Sequence, residues 1–168
     1  IMSLAALARE GVIAAILMGI GDVVGQLMLE DKPIKDYSLG RTLRFSAIGL
    51  CFCGPILRLW YTKLDTLVAK DQSFFTRSMK KMALDQTLFD PPFILGMLYI
   101  VPWVNGESHN DIIRQIRNQY FSIVQRSFML WPVAQVINFT FIPLRFQVTY
   151  VQAVFLIWNC YLSIKLNQ

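Results

Sequence analysis

Charge is scarce in this sequence. Lys, Arg, Asp and Glu make up 16% of its 168 residues, against roughly 25% in an ordinary soluble domain. Apolar residues reach 55% and the mean hydropathy is +0.45. A soluble protein of this size has too much surface for its volume to hide so many apolar side chains. A membrane is therefore the expected solvent, and the length suits a single domain over 1–168. Histidine is nearly missing: His109 sits alone in a polar loop with Glu107 and Asp111. There is no Ser elbow, P-loop or dinucleotide fingerprint. No enzyme activity, catalytic residue or cofactor is expected. Cysteine is limited to Cys51, Cys53 and Cys160. That spacing makes neither a disulfide framework nor a zinc site, and no metal-ligand cluster appears. Small buried hydrophobes are the ordinary use of such cysteines; a redox role for Cys51 and Cys53 is the alternative. An Arg-rich presequence and a cleavable signal are also lacking. The first residue is Ile1, so the true start is expected to lie outside this sequence, and targeting information there or internally.

The formal net charge is +5. The basic residues sit between apolar stretches and form no stripe, which fits juxtamembrane contact with anionic headgroups rather than direct nucleic-acid binding. Five apolar stretches follow one another: Gly11 to Leu29, Phe45 to Leu57, Met82 to Val104, Ser127 to Leu144 and Phe146 to Ile164. Lys32, Pro33, Lys35 and Asp36 read as a loop after the first. Arg44 and Arg58 flank the second and lengthen it by snorkelling. Lys63 to Lys81 is polar and basic. Pro91 and Pro92 in the third are tolerated as kinks. Glu107 to Arg126 is amphipathic, solvent-facing or interfacial. Trp60, Tyr61, Trp103 and Trp131 lie near the ends of stretches, as in an interfacial belt. The expectation is an all-α polytopic transmembrane bundle with four spans plus a fifth apolar or interfacial helix.

The apolar stretches carry polar residues at helical spacing. Asp22 and Gln26 share a face one turn apart. They either line an aqueous path, or Asp22 pairs with a basic residue of a neighbouring helix. Gln86 and Asp90 repeat the spacing, with Asp85 off that face and Lys81 placed to pair with it. Trp131, Gln135, Asn138 and Arg145 fall on one side of a further helix, with Pro143 expected to kink or end it. Gly19, Gly21 and Gly25, with Gly11 and Ala15, give the small-residue spacing of close helix packing. Homo-oligomerisation through that face is a special case. These residues form a set of pore-lining or polar-network candidates: Asp22, Gln26, Asp85, Gln86, Asp90, Gln135, Asn138 and Arg145. Arg58 is a candidate charge at a pore mouth.

An ordered set of residues over nearly the whole chain resembles a known family. It comprises Gly21-Asp22 with Gln26, Arg41 and Arg44, Gly54-Pro55, Trp60-Tyr61, Leu64-Asp65, Lys81, Asp85-Gln86 and Pro91. The block Trp131-Pro132, Gln135, Asn138-Phe139, Pro143 and Arg145 follows, then Trp158 and Tyr161-Leu162-Ser163. The chain resembles the Mpv-seventeen/PMP-twenty-two family of peroxisomal and mitochondrial inner-membrane proteins, closest in pattern to the mitochondrial branch. The resemblance implies a non-enzymatic membrane protein passing small solutes or metabolites. It also implies a link to mitochondrial DNA maintenance, nucleotide precursor supply and oxidative stress handling. The inner mitochondrial membrane is the expected location and the peroxisomal membrane the alternative. The opposing expectation, from the residues alone, is a non-conducting scaffold whose polar groups hold helices together.

Overall fold

The computed structural model describes residues 4–29, 34–69 and 73–166, with side chains at 28, 29 and from 158 onward outside that description. Lys32, Pro33, Cys160, Trp158, Tyr161, Leu162, Ser163 and the chain start therefore lie outside the described residues or side chains. Among the described residues every regular element is helical. The helices are α1 (Leu4–Val24), α2 (Leu39–Ile48), α3 (Gly54–Leu67), α4 (Phe74–Leu84), α5 (Asp90–Val104), α6 (His109–Phe141) and α7 (Gln147–Leu166).

Three π-helical turns, Gly25–Leu29, Gly49–Cys53 and Asp85–Phe89, each lie inside one of the apolar stretches and continue the α-helix before them. Through them α2 and α3 make one apolar helix over Leu39–Leu67, and α4 and α5 another over Phe74–Val104. With Leu4–Leu27 these are the three helices among the described residues long and apolar enough to cross a membrane. Gln147–Ile157 is a shorter apolar helix. The first span thus begins at Leu4, seven residues before the apolar run at Gly11, and takes in Arg9 and Glu10. The amphipathic stretch Glu107–Arg126 is not separate from the fourth apolar run: both belong to α6, 33 residues long. At 1.5 Å per residue α6 is about 50 Å long, well beyond the roughly 30 Å of a hydrocarbon core.

Serine starts three of the helices. Ser38, Ser73 and Ser108 accept from the backbone N–H of Arg41, Thr76 and Asp111 respectively, each at 3.3 Å, satisfying donors the first turn leaves over. Ser108 also donates to Asp111 Oδ2 at 2.6 Å. Gly106, at φ 92°, makes the reversal between α5 and α6 in a conformation open to glycine. Pro143 follows α6, which ends at Phe141.

The chain divides into two compact units, Ile1–Leu59 with Val148–Gln168, and Trp60–Gln147. In the first, α1 packs on α2 and on the π turn Gly49–Cys53. Its polarity is inverted relative to a soluble helix. Glu10, Ala14, Met18, Asp22 and Gln26, one every fourth residue, are buried. Val12, Ile16 and Ile20 are about half exposed, the arrangement apolar solvent favours. The close approach depends on glycine. A Cβ at Gly49 would stand 2.6 Å from the Ala14 carbonyl oxygen, and one at Gly54 2.6 Å from that of Glu10.

In the second unit α6 packs against α4 and α5. The end of α3 contributes Tyr61 and Leu64, both almost fully buried. Tyr61 meets Phe139 of α6 edge-on, centroids 5.5 Å apart.

Candidate functional site

The polar residues singled out by spacing fall into two clusters, one in each unit. In the first unit, Asp22 is buried on α1 and forms an ion pair with Arg41 of α2, Nε to Oδ1 2.7 Å. Its other oxygen accepts from Thr42 Oγ1 at 2.6 Å and from Gln26 Nε2 at 2.7 Å. Gln26 also donates to the Ser38 carbonyl and accepts from the Ser38 N–H. Tyr37 shares a hydrogen bond with Thr42. Of the two roles open to Asp22, pairing with a neighbouring helix is the one observed. The network ties the end of the first span to the start of the second.

The glycine expectation is revised in part. A Cβ on Gly19 would lie 2.5 Å from Ser46 Oγ, and one on Gly21 3.1 Å from Leu156 Cδ1. Gly25 has nothing within 4 Å of that position among the described residues. The close backbone contacts run through Gly11, which the spacing included, and through Gly49 and Gly54. The partner glycines were missed because they sit in the π turn Gly49–Cys53 and at the start of α3, outside the small-residue run of α1.

The second cluster centres on Asp85, 2% exposed. Asp85 Oδ1 accepts from the Trp60 indole N–H at 2.7 Å. Oδ2 accepts from Gln135 Nε2 at 2.7 Å and Gln86 Nε2 at 3.4 Å. Gln135 also donates to Tyr61 Oη at 3.0 Å, and its Oε1 accepts from Asn138 Nδ2 at 2.9 Å. Trp60 is held by stacking on Phe89, centroids 5.0 Å apart. Gln86 Oε1 and Asn138 Oδ1 are buried without a hydrogen-bond partner among the described residues.

The π turn explains why the spacing argument misplaces two residues. Pro91 and Pro92 lack N–H groups, and a proline ring clashes with the carbonyl four residues earlier. The helix opens there, and the Asp90 N–H bonds to the Asp85 carbonyl instead of that of Gln86. Asp85 and Gln86 are consequently both buried, while Asp90 does not share the face of Gln86. Asp90 accepts from Ser127 Oγ at 2.5 Å. The prolines follow the π turn directly, at the start of α5.

Two further expectations are corrected. Lys81 does not pair with Asp85: its ammonium lies 2.7 Å from Asp65 Oδ1, which Arg77 also reaches at 2.5 Å. Lys81 lies over the Phe139 ring as well. Arg145 does not continue the face of Gln135 and Asn138. It lies beyond the end of α6, exposed, over the ring of Phe146 at 4.6 Å. Arg58 is half-buried on α3, one turn after Gly54. Cys51 is exposed and Cys53 buried, and neither forms a disulfide among the described residues. No group of three or more His, Cys, Asp or Glu side chains is arranged for a metal ion among the described residues.

The site reading overlooked Glu10, Arg41, Thr42, Trp60, Tyr61 and Ser127. Arg41, Trp60 and Tyr61 stand in the family motif, and Glu10 carries a signal of spacing: it extends the series Asp22, Met18, Ala14 backwards by four. It is fully buried and paired with Arg9 at 2.5 Å.

The Mpv17 / PMP22 family profile matches residues 103–163, which hold α6 and most of α7. The mitochondrial inner membrane protein Mpv17 of Drosophila melanogaster is 46% identical over 159 residues, 95% of each chain. The chain belongs to the Mpv17 / PMP22 family. The Xenopus laevis protein of the same name is 40% identical, covering 94% of this chain and 88% of its own. The Homo sapiens protein is 35% identical, covering 92% and 87%. No solved structure matches. With its apolar spanning helices, this Mpv17 / PMP22 family chain is an integral protein of the mitochondrial inner membrane.

Proposed function

We propose that this inner-membrane protein is a non-enzymatic channel for small solutes or metabolites, and that the Asp85 cluster is part of its path. Through that flux it supports mitochondrial DNA maintenance, precursor supply and the handling of oxidative stress, as the family resemblance implies. One observation carries the reading. In the Asp85 cluster, Gln86, bonded to the carboxylate, and Asn138, linked to it through Gln135, each hold a buried carbonyl oxygen with no partner among the described residues. A buried polar atom without a partner costs about 1–3 kcal/mol, and a hydrated path supplies partners. Water-lined stretches are where intramembrane carboxylates and amides are tolerated.

Purified protein in a planar bilayer is expected to give unitary conductance that changes in size or selectivity in Asp85→Asn. A silent bilayer with demonstrably folded protein overturns the proposal. A non-conducting scaffold is the second reading, favoured by the first unit, where Asp22 and Gln26 are spent on Arg41, Thr42 and Ser38. In that case Asp22→Leu lowers assembly and stability and leaves no transport to lose.

A further inference from the structure

Asp85 is a buried carboxylate whose partners are all uncharged. Trp60, Gln135 and Gln86 each bring an N–H to it, so every contact uses an oxygen lone pair. No Lys or Arg lies within ion-pair distance of it among the described residues. Lys81, one turn earlier on the same helix, is committed to Asp65 at 2.7 Å. A lone negative charge in such surroundings is costly without a compensating positive charge.

The cluster has oxygen ligands to offer. Gln86 lays its amide nitrogen on Asp85 Oδ2, and its Oε1 remains over. Asn138 lays its nitrogen on Gln135, itself on Asp85, and its Oδ1 remains over. Both residues are at least nine-tenths buried. An all-oxygen set of one carboxylate and neutral carbonyls suits a hard cation. A single carboxylate balances a single charge. The other carboxylate of this helix, Asp90, is turned to Ser127.

We propose that Asp85, Gln86 and Asn138 form a binding site for an alkali metal cation, sodium or potassium. This deepens the channel reading and rests on it for the route by which the ion reaches a buried site. Trp60, bonded to Asp85, supplies a built-in reporter.

The test uses the full chain in lipid nanodiscs. Sodium chloride and potassium chloride are each titrated against N-methylglucamine chloride at constant ionic strength, with tryptophan fluorescence recorded. A saturable change with at least one alkali ion and none with N-methylglucamine is expected. The change disappears in Trp60→Phe, which assigns it, and in Asp85→Asn. Asn138→Ala and Gln86→Leu weaken the apparent affinity at least tenfold, and the thermal midpoint rises with alkali concentration in the parent protein and not in Asp85→Asn. Indistinguishable titrations with alkali ions and N-methylglucamine overturn the site, as does a saturable response that persists in Asp85→Asn. Should Asp85→Asn fail to fold, unchanged affinity in both Asn138→Ala and Gln86→Leu overturns it. Binding is read without current, so the two proposals separate. Saturable binding in a silent bilayer removes the channel and keeps the site; conductance without saturable binding does the reverse.

Discussion

Gln26 and Ser38 are joined by a reciprocal pair of hydrogen bonds, the side-chain amide of one standing in for a strand partner of the other. Gln26 Oε1 accepts from the Ser38 N–H at 2.9 Å, and Gln26 Nε2 donates to the Ser38 carbonyl at 3.1 Å. Ser38 in turn caps α2. A buried side chain at the end of the first span therefore sets where the second begins.

Gln26→Leu removes both bonds and strips a donor from Asp22. Thermal unfolding in detergent is expected to register a loss of about 1–3 kcal/mol, the cost of leaving buried groups unsatisfied. Ser38→Gly keeps both bonds of the pair, which use the Ser38 backbone, and removes only the side-chain cap, so it should cost a few tenths of a kcal/mol.

Asp22 and Arg41 should behave as a coupled pair. Either Asp22→Asn or Arg41→Gln alone leaves a poorly compensated charge in a largely buried setting, at a cost of roughly 3 kcal/mol. The double variant is expected to recover part of that loss. A double-mutant cycle on thermal stability checks it, and additivity within about 0.5 kcal/mol would mean that the pair contributes nothing.

Glycines of α1 and its partner helix should differ sharply in tolerance. Gly54→Ala and Gly49→Ala drive a methyl group against backbone, and overpacking of this kind costs about 1–3 kcal/mol. Gly25→Ala meets nothing within 4 Å among the described residues and should be neutral or gain about 0.5 kcal/mol by narrowing the unfolded ensemble. Unfolding midpoints of the three variants settle the ranking.

Asp65 holds Lys81, whose side chain is only 5% exposed. Asp65→Ala is expected to destabilise by roughly 3–5 kcal/mol, since it strands a buried ammonium. Adding Lys81→Met should restore most of the loss. If Lys81→Met does not rescue, the loss belongs to Arg77, which shares the same carboxylate oxygen.

The family and the membrane setting were legible in the residues, because composition and an ordered motif survive without any knowledge of contacts. Asp22 with Gln26 was legible for the same kind of reason: α1 is regular over that stretch until Gly25, so a four-residue spacing means a shared face. The relation of Asp85, Gln86 and Asp90 was not. A π turn changes the register by one residue, and the spacing rule carries no warning of it beyond the prolines that follow. The pairing of Lys81 was equally hidden, because a lysine one turn before an aspartate looks like a local pair until a competing carboxylate arrives from α3. Arg145 was misplaced by extending a helical face past the point where Pro143 stands.

Solvent and secondary structure follow from the chain alone, since hydropathy and helical period are local sums over neighbouring residues. Which oxygen receives which proton donor is decided between segments far apart in number. Trp60, Asp85 and Gln135 share one buried carboxylate across 25 and 50 residues of separation. Only packing determines that such a group is reached by neutral donors rather than by a cation. That tertiary choice leaves the oxygens of Gln86 and Asn138 over, which no spacing of residues along the chain foretells.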